Sequence, residues 1–263
     1  MAVDKDTVDA LPWYHVLELP GGVTTKGYYD LRKVVHRILP DDLSGKRCLD
    51  AATASGFFAF EMEKRGAAEV VGIDLDRIEQ RDWQLPWKLT PSANAVADSF
   101  EYAKRAFGSK ATRIPCSLYD ASPDTLGTFD FVFIGSVLLH LRDPVLALRA
   151  LRTVTTGTLR SYEVHLLKAS LLRPRMPVAQ LARQADSRWW TPNRAAHRRW
   201  MVAAGFEIVD SSGWTFQPFG PLATGQKAGQ VVRSMWRVNR LGERLVGVPS
   251  GWFDGRPAVP VES

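Results

Sequence analysis

From residue 46 onward the chain alternates short, continuously apolar runs with longer segments whose apolar residues recur every three to four positions. The short runs predict β-strands that are buried on both faces, and the longer segments predict amphipathic helices that cover them. Strands are predicted at residues 46–51, 69–74, 111–116, 129–134, 158–166 and 206–210. Helices are predicted between them, at residues 56–65, 93–107, 143–152 and 192–204. This alternation is typical of an α/β protein with a doubly wound, mostly parallel sheet.

The regions on either side of this alternation follow other patterns. Residues 1–45 are rich in aromatic side chains and glycine, and we expect them to form an entry or lid segment. The sheet is assigned to residues 46–213, and residues 214–263 form a C-terminal extension. Within this extension, residues 230–246 predict a helix with an apolar stripe and four arginines close by, for which a solvated basic face is the simplest interpretation.

The composition fits one large α/β domain and excludes several other classes. With 263 residues, of which 45% are hydrophobic and 24% charged, the chain can bury a sizeable core and differs from disordered proteins and coiled coils. No apolar run approaches the roughly 18 residues that a membrane span needs. The first residues contain acids and lack the apolar region of a secretory signal. Because Cys48 and Cys116 have no metal-type spacing, we expect a cytoplasmic protein with reduced thiols.

The charge balance leaves room for an anionic partner. The formal net charge is +6 and the sequence pI is about 9.4. The excess comes mostly from arginines scattered after residue 140, so a solvated basic face is the simpler interpretation and nucleic acid the other one. Nine tryptophans are more unusual. Several have proline or glycine neighbours in loop-like places, where flat rings can stack on bases or on sugars.

The first two predicted strands and the loop between them carry the strongest functional signal. One strand ends at Asp50, the small residues 51–56 lead into a helix, and the next strand ends at Asp74, 18 residues after Gly56. Small residues let a ligand approach the backbone, and the second acid can accept both hydroxyls of a ribose. A dinucleotide site would need more glycines than Gly56 alone, and the charge of Asp50 would repel a pyrophosphate. The pattern therefore favours S-adenosylmethionine, whose amino-acid end is cationic.

Several motifs resemble the class I S-adenosylmethionine methyltransferases: DAATASGFFAFEMEKRGA, VVGIDLD, FDFVFIGSVLLHLRDP and WWTPNRAAHRRWMVAAGF. With WYHVLELPGGVTTKGYYDLR near the N-terminus, they cover residues 13–211. Within that class the chain looks most like the bacterial tRNA wobble-uridine methyltransferases of the 5-oxyacetate type and their small carbohydrate-acting relatives. The resemblance implies a Rossmann-like sheet, S-adenosylmethionine as cofactor and methyl transfer as the reaction.

The resemblance also implies the residues of the cofactor site. Position by position, the family's glycine loop falls on residues 50–56, its ribose acid on Asp74, and its adenine edge on Leu118 and Tyr119. The full set of candidate cofactor-binding residues is Tyr29, Arg32, Asp50, Ala52, Gly56, Asp74, Leu75, Asp76, Leu118, Tyr119 and Gly135. For Arg32, an ion pair with a nearby acid is an equally good interpretation.

The chain departs from the family's pattern at two places. Ala52 and Ala54 stand where the family has glycine, which predicts a tighter loop. Leu139 stands where the tRNA enzymes that use a carboxylated cofactor have tyrosine. Because leucine cannot form a hydrogen bond with the extra carboxylate, we expect ordinary S-adenosylmethionine.

Methyl transfer to a hydroxyl needs a base near the reacting oxygen, and three residues are candidates. His140 follows the fourth strand, on the side where this fold binds substrates. Glu163 and His165 are two positions apart on the fifth strand and therefore face the same way. They could act as a base or a substrate clamp, or hold a hard cation such as Mg²⁺. The alternatives are a helix-capping role for His140 and a satisfied polar pair at the sheet edge.

Three functions are compatible with these features. The first is O-methylation of a small molecule, above all a carbohydrate, for which Trp189, Trp190 and Arg194 would lie over the site as sugar- or phosphate-binding residues. The second is methylation of a tRNA wobble uridine, and the third is a non-catalytic protein with the cofactor fold. The partners expected are a small-molecule or sugar acceptor, tRNA, or a second copy of the chain in a homodimer, and not a membrane.

Overall fold

A computed structural model of the protein describes residues 3–77, 80–82, 96–183, 187–225 and 247–258. Within these ranges the strands are β1 (Glu18–Leu19), β2 (Val23–Thr24), β3 (Arg47–Ala51), β4 (Glu69–Asp74), β5 (Thr112–Pro115), β6 (Phe129–Gly135), β7 (Thr155–Val164), β8 (Ala179–Leu181), β9 (Trp190–Pro192), β10 (Phe206–Ser211), β11 (Thr215–Gln217) and β12 (Val248–Pro257). The helices are α1 (Lys5–Ala10), α2 (Phe57–Lys64), α3 (Val96–Phe107), α4 (Pro123–Leu126), α5 (Pro144–Val154), α6 (Leu167–Leu172), α7 (Arg194–Ala203) and α8 (Pro221–Gly225).

The central sheet has the order β10-β12-β7-β6-β3-β4-β5, with β11 paired to β12. Strands β3 to β7 run parallel, whereas β12 is antiparallel to both β7 and β10. The chain proceeds outward from β3 to β5 and then returns to β6 on the other side of β3. Ligands bind at such a reversal, in the crevice at the carboxyl ends of the strands. The predicted mostly parallel α/β sheet is confirmed.

Two apolar layers cover the faces of the sheet, as the alternation of strand side chains requires. On one face α2, α3 and the N-terminal segment pack against side chains that include Phe131 and Phe133. On the other face α5 and α7 pack against a set that includes Leu49, Val132 and Ile134. Burying one such side chain stabilises the fold by about 1.5–3 kcal/mol.

Local signals fix where the helices beside the site begin. Asp143 caps α5 by accepting a hydrogen bond from the Leu146 amide (2.8 Å), and a proline occupies the first turn. Asn193 caps α7 in the same way through the Ala196 amide (2.8 Å). Asn and Asp are among the best residues for this role because their side-chain oxygens accept from the free amides of the first turn. The loops that precede these helices are thereby held at the carboxyl ends of the strands.

The C-terminal extension is less separate from the sheet than the sequence predicts. Strand β12 belongs to residues 214–263, yet it lies between β7 and β10 and bonds to both. Its sequence, VPSGWFDGRP, has two prolines and two glycines and no alternating pattern, which explains why it was not predicted as a strand. The helix predicted at residues 230–246 lies outside the described residues.

The N-terminal segment is hydrogen-bonded to the first part of the C-terminal extension. The Gly220 amide donates to Tyr28 O (2.7 Å), and the Asp30 amide donates to Pro218 O (3.0 Å). Strand β11 ends at Gln217, immediately before these contacts. The predicted entry segment therefore lies beside the carboxyl ends of β6 and β7. None of the helices that the structure describes is long and apolar enough to cross a membrane.

Candidate active site

The loop between β3 and α2 follows the course of a glycine loop although it contains two alanines. Ala52, Ala54 and Gly56 all have positive φ, at 67°, 47° and 88°. Glycine adopts this left-handed conformation freely, whereas alanine is disfavoured there by about 1–2 kcal/mol. At position 56 only glycine fits, because a Cβ there would lie 2.5 Å from the Phe60 ring. The loop therefore has the left-handed conformation of a glycine loop at these three positions.

The Asp50 side chain is hydrogen-bonded to this loop and to the first turn of α2. Its Oδ2 accepts hydrogen bonds from the Thr53 hydroxyl (2.7 Å) and the Ala59 amide (3.0 Å), and the residue is only 1% exposed. Burial raises the pKa of the Asp50 carboxyl to about 7. The structure thus places this predicted cofactor-binding residue beneath the loop, where it orders the backbone and the start of α2.

Asp74 faces the same loop from the end of β4. Its Oδ2 accepts from the Ala54 amide and its Oδ1 from the Leu75 amide, both at 2.8 Å. Each carboxylate oxygen can accept a second hydrogen bond, which is what two ribose hydroxyls require. In the loop itself, the Ser55 hydroxyl is buried without a hydrogen-bond partner among the described residues. An acceptor pair, a loop in the left-handed conformation and an unsatisfied hydroxyl fit S-adenosylmethionine.

The other predicted residues on this side lie around the ends of β4, β5 and β6. Leu118 is buried, and Tyr119 donates its hydroxyl hydrogen to Asp82. Asp76 forms an ion pair with Arg113 at 2.8 Å, and Arg113 also donates to Leu75 O. These contacts order the segment that follows Asp74. At Gly135, a Cβ would lie 2.7 Å from the Tyr162 carbonyl oxygen, so this position also has to be glycine.

The two predicted residues of the N-terminal segment have different surroundings. Tyr29 stacks on Phe219, with 6.2 Å between ring centroids. Arg32 binds Asp30 through two nitrogens (2.9 and 2.8 Å) and Glu18 through a third (3.2 Å). With Glu18, it lines a groove of about 500 Å³ between this segment and α2. The ion-pair interpretation of Arg32 describes its contacts, and its role toward the cofactor stays a prediction.

We call the carboxyl ends of β6 and β7, with the turn after β6, the acceptor side, because the sequence predicts substrate binding there. Glu163 is hydrogen-bonded to this turn. Glu163 is fully buried, and its oxygens accept from the Val164 amide (2.8 Å) and the Leu139 amide (3.3 Å). Burial raises the pKa of its carboxyl to about 8. The next residue in the turn, His140, bonds through Nδ1 to the Ser187 carbonyl at 2.8 Å. Because a carbonyl can only accept, Nδ1 carries the hydrogen and Nε2 carries the lone pair of the neutral ring.

His165 has a different partner from Glu163 although both side chains face the same side of the sheet. Its Nε2 bonds to His197 Nδ1 at 3.0 Å, and His197 Nε2 bonds to the Ser161 hydroxyl at 2.8 Å. Burial lowers the pKa of both imidazoles, that of His197 to about 3. The covering helix α7 supplies His197, so the sequence-predicted Glu163–His165 pair is split between the turn after β6 and this helix.

The predicted substrate residues lie on the segment that runs past this turn. The Trp189 amide donates to Leu139 O at 2.7 Å, and the Trp190 indole donates to Arg142 O at 3.0 Å. The Arg194 guanidinium lies 4.6 Å from the centre of the Phe253 ring and donates to Ser212 O. The two tryptophans therefore adjoin the acceptor side, whereas Arg194 packs against β12.

Three residues of the cleft were not singled out from the sequence. Tyr14 packs against the rings of Tyr28 and Tyr29, with 6.1 and 5.8 Å between centroids, and burial raises the pKa of its hydroxyl. Gln217 donates to the Ser136 hydroxyl at 2.8 Å and thus joins β11 to the end of β6. Asp82 accepts from Tyr119 and from the Arg142 amide. Of these three residues, only Tyr14 lies in a motif that the sequence analysis noted, the aromatic run WYH.

The described residues give no support to a metal ion. No group of three or more His, Cys, Asp and Glu side chains in the described ranges is arranged to hold one. Glu163 is bonded to two amides and His165 to another histidine, so neither presents a pair of ligands to a common point. Cys48 and Cys116 are free thiols.

Comparisons with known proteins show which proteins the chain resembles. Relatives by sequence include the tRNA U34 carboxymethyltransferase of Pseudomonas paraeruginosa, which is 29% identical over 166 residues that cover 63% of this chain and 46% of that protein. The tRNA U34 carboxymethyltransferase of Idiomarina loihiensis is 28% identical over 176 residues that cover 66% of this chain and 50% of that protein. The chain thus spans about half the length of the curated relatives it matches.

Solved structures show the same fold. The [4+2]-cyclase SpnF has a TM-score of 0.57 at 18% identity, covering 89% of this chain and 88% of its own. The N-terminal domain of EvdMO1, solved in the presence of S-adenosylhomocysteine and D-fucose, has a TM-score of 0.55 at 14% identity, covering 94% and 92%. The family model described as a methyltransferase domain matches residues 24–211. Since that match spans well over half of the sequence, the chain belongs to the methyltransferase-domain family and is an S-adenosylmethionine-dependent methyltransferase.

Proposed function

We propose that this enzyme methylates a hydroxyl oxygen of a nucleoside in tRNA, with ordinary S-adenosylmethionine as donor. The observation that carries the proposal is the charge of the segment on the acceptor side. Residues 164–199 contain eight lysines and arginines and a single acid. Six of these cations have exposed side chains: Lys168, Arg173, Arg175, Arg183, Arg198 and Arg199. A surface of this kind favours a polyanion, whose phosphates it can neutralise.

The relatives support the same acceptor. Two tRNA U34 carboxymethyltransferases match the chain over about half of their own length. This resemblance favours a tRNA nucleoside over a free sugar. The donor is expected to differ, because Leu139, a buried side chain next to the turn of His140, offers no hydrogen bond to a carboxylated cofactor.

The residues of the site have distinct roles in this proposal. Asp74 and the loop of Ala52 and Ala54 would hold the ribose and the amino-acid end of the cofactor. When bound, S-adenosylmethionine supplies an electrophilic methyl group. His140 holds its basic lone pair on Nε2, because Nδ1 is bonded to the Ser187 carbonyl, and can take the proton of the acceptor hydroxyl.

Glu163 supports the acceptor side as a neutral group. Its pKa of about 8 means that at neutral pH the carboxyl is mainly protonated. The two amides that it accepts from belong to Leu139 and Val164, so it fixes the turn that carries His140 relative to β7. His165, bonded to His197 beneath α7, would act only through the position of β7.

A small-molecule carbohydrate hydroxyl is the second candidate acceptor. It is favoured by Leu139 and by the adjacent Trp189 and Trp190, whose rings can stack on a sugar. The two candidates differ in their expected dependence on salt. Binding to tRNA releases counterions and weakens steeply as salt rises, whereas binding to a neutral sugar does not.

The decisive experiment measures methyl transfer from labelled S-adenosylmethionine to bulk tRNA and, separately, to a panel of glycosides. The tRNA proposal expects label in RNA and a steep salt dependence of tRNA binding. In the triple variant R173S/R175S/R183S the slope of log affinity against log salt should become shallower by about 2–3, close to one unit for each lost phosphate contact.

The triple variant K33S/R37S/K46S is the matched control, since it removes three exposed cations from the N-terminal half. It should leave the slope unchanged. Label that enters only glycosides would replace the first proposal with the second. A His140→Ala variant should lose about 10²–10⁴-fold in turnover with either acceptor, the usual contribution of a general base.

A further inference from the structure

Asp82 joins residues from both halves of the active site. Its Oδ2 accepts hydrogen bonds from the Tyr119 hydroxyl and from the Arg142 amide, the latter at 2.9 Å. Its Oδ1 accepts from the Arg142 guanidinium at 3.4 Å. Its main-chain carbonyl accepts from the Trp189 indole. One acidic residue after β4 is therefore bonded to segments that follow β5 and β6 and to the segment that enters β9.

These partners belong to different parts of the reaction site. Tyr119 follows β5, at the candidate adenine edge of the cofactor pocket. Arg142 and Trp189 lie on the acceptor side, where the Trp189 amide also bonds to Leu139 O at 2.7 Å. The Arg142 guanidinium lies 5.7 Å from the centre of the Trp189 ring, so these two residues also contact one another. Any shift of Tyr119 would be transmitted to the acceptor side through Asp82.

The Tyr119 hydroxyl is well suited to this link. Burial and the hydrogen bond to Asp82 raise the pKa of Tyr119, so the hydroxyl keeps its proton and can donate it. The same oxygen accepts from the Asp143 amide at 3.2 Å, and Asp143 caps α5. The link therefore extends from the cofactor side to the helix that follows the His140 turn.

A carboxylate is the group that these contacts require. Both oxygens accept, one from two donors and the other from a guanidinium. An amide of the same shape offers one accepting oxygen and directs an NH₂ group at a donor. The side chain of Asp82 is 17% exposed, so the lost hydrogen bonds would be replaced by water only in part.

We propose that Asp82 is a positioning residue that couples the cofactor pocket to the acceptor side. Cofactor binding orders Tyr119, and Asp82 transmits that order to Arg142 and Trp189, so that the acceptor meets a prepared surface. Because coupling between two sites is reciprocal, acceptor binding should tighten cofactor binding by the same factor. The inference rests on the cofactor site and not on the identity of the acceptor.

The test uses S-adenosylhomocysteine binding and needs no turnover. In the full chain labelled with ¹⁵N, the Trp189 indole resonance is assigned by its loss in Trp189→Phe. In the wild type this resonance should shift when S-adenosylhomocysteine binds, because the Trp189 indole donates to the main-chain carbonyl of Asp82. In Asp82→Asn the shift should disappear, and affinity in calorimetry should fall about tenfold, within the usual range of coupling between sites.

Two further variants keep the result interpretable. Glu69→Gln removes an acid at the other end of β4, where Glu69 bonds to Arg47 at 2.7 Å, and should leave both readouts unchanged. If Asp82→Asn does not fold, Tyr119→Phe breaks the same link from the other side and should abolish the same shift. A Trp189 response of wild-type size in whichever of these two variants folds would overturn the proposal. Failure to methylate tRNA would leave these binding results unaffected.

Discussion

Replacing Ala54 by glycine should stabilise the protein, which is the opposite of the usual effect of this substitution. Ala54 has a φ of 47°, in the left-handed region where its Cβ is crowded by the backbone. Its methyl group is half-exposed, so little buried area is lost with it. Its amide bonds to Asp74 Oδ2 at 2.8 Å, a contact that glycine can also make.

The magnitude is the difference between two opposing effects. Relief of the left-handed conformation should contribute about 1–2 kcal/mol. The greater freedom of glycine in the unfolded chain should cost about 0.4–1 kcal/mol. The net expected gain in the free energy of unfolding is therefore about 0.5–1 kcal/mol. Affinity for S-adenosylhomocysteine should stay close to that of the wild type because the amide of residue 54 is retained.

Urea unfolding of Ala54→Gly, with Ala150→Gly as the matched control, measures this effect. Ala150 lies within α5 and does not have a positive φ. There the same substitution should destabilise the protein by about 1 kcal/mol or more, the usual cost of glycine within a helix. If Ala54→Gly is destabilised as much as the control, Ala54 is not held in a left-handed conformation and the account of the loop is wrong.

Three further predictions concern the cofactor, pH and the donor. Asp74→Ala should weaken S-adenosylmethionine binding by about 1.5–3 kcal/mol, the scale for hydrogen bonds to a charged acceptor; unchanged affinity in calorimetry would contradict the ribose assignment. His15 is buried with a pKa lowered to about 3, so its neutral form contributes stability that is present above pH 6.5 and is lost as pH falls toward 3. Between pH 7 and pH 5 the wild type should lose about 2 kcal/mol more than His15→Phe, whereas His36→Phe, at an exposed position, should follow the wild type; parallel urea-unfolding curves for all three would refute this. In direct competition, the carboxylated cofactor should bind no more tightly than S-adenosylmethionine because of Leu139, and a preference for the carboxylated form would show that another residue recognises it.

The parallel strands could be predicted closely because their sequences are dominated by burial. Strand β6 was predicted at residues 129–134 and extends over Phe129–Gly135, with five of its first six residues buried. Strand β7 was predicted to begin at residue 158 but begins at Thr155, directly after α5. The sequence TTGT has no apolar residue to mark that start. The start of β7 therefore has no hydrophobic pattern by which it could be predicted.

That the candidate cofactor residues lie close together could also be predicted, because they are close in sequence. Asp50, the loop and Asp74 lie within 25 residues of one another, and parallel pairing of β3 with β4 brings their ends together. Asp82 and Tyr119 are 37 positions apart, and Asp82 and Trp189 are 107 apart. Such contacts depend on how loops from different strands meet above the sheet, which no local pattern encodes.

Glu163 and His165 show that strand periodicity predicts the face on which a side chain lies but not the groups that it contacts there. Their spacing predicts that both face the same side of the sheet, but it does not say what covers each position, and β7 ends at Val164, so His165 lies just beyond the strand. Glu163 lies where the turn after β6 supplies amides, at 3.3 Å for Leu139. His165 follows β7 where α7 supplies His197, at 3.0 Å, and the two rings pack with 5.2 Å between centroids. His165 is fully buried; its Nε2 is bonded to His197, and its Nδ1 has no hydrogen-bond partner among the described residues. His140 is only half-buried, and its Nδ1 is bonded to the Ser187 carbonyl, so its basic nitrogen is Nε2. We therefore propose His140, in the turn after β6, as the general base, and a packing role between α7 and β7 for the buried histidines.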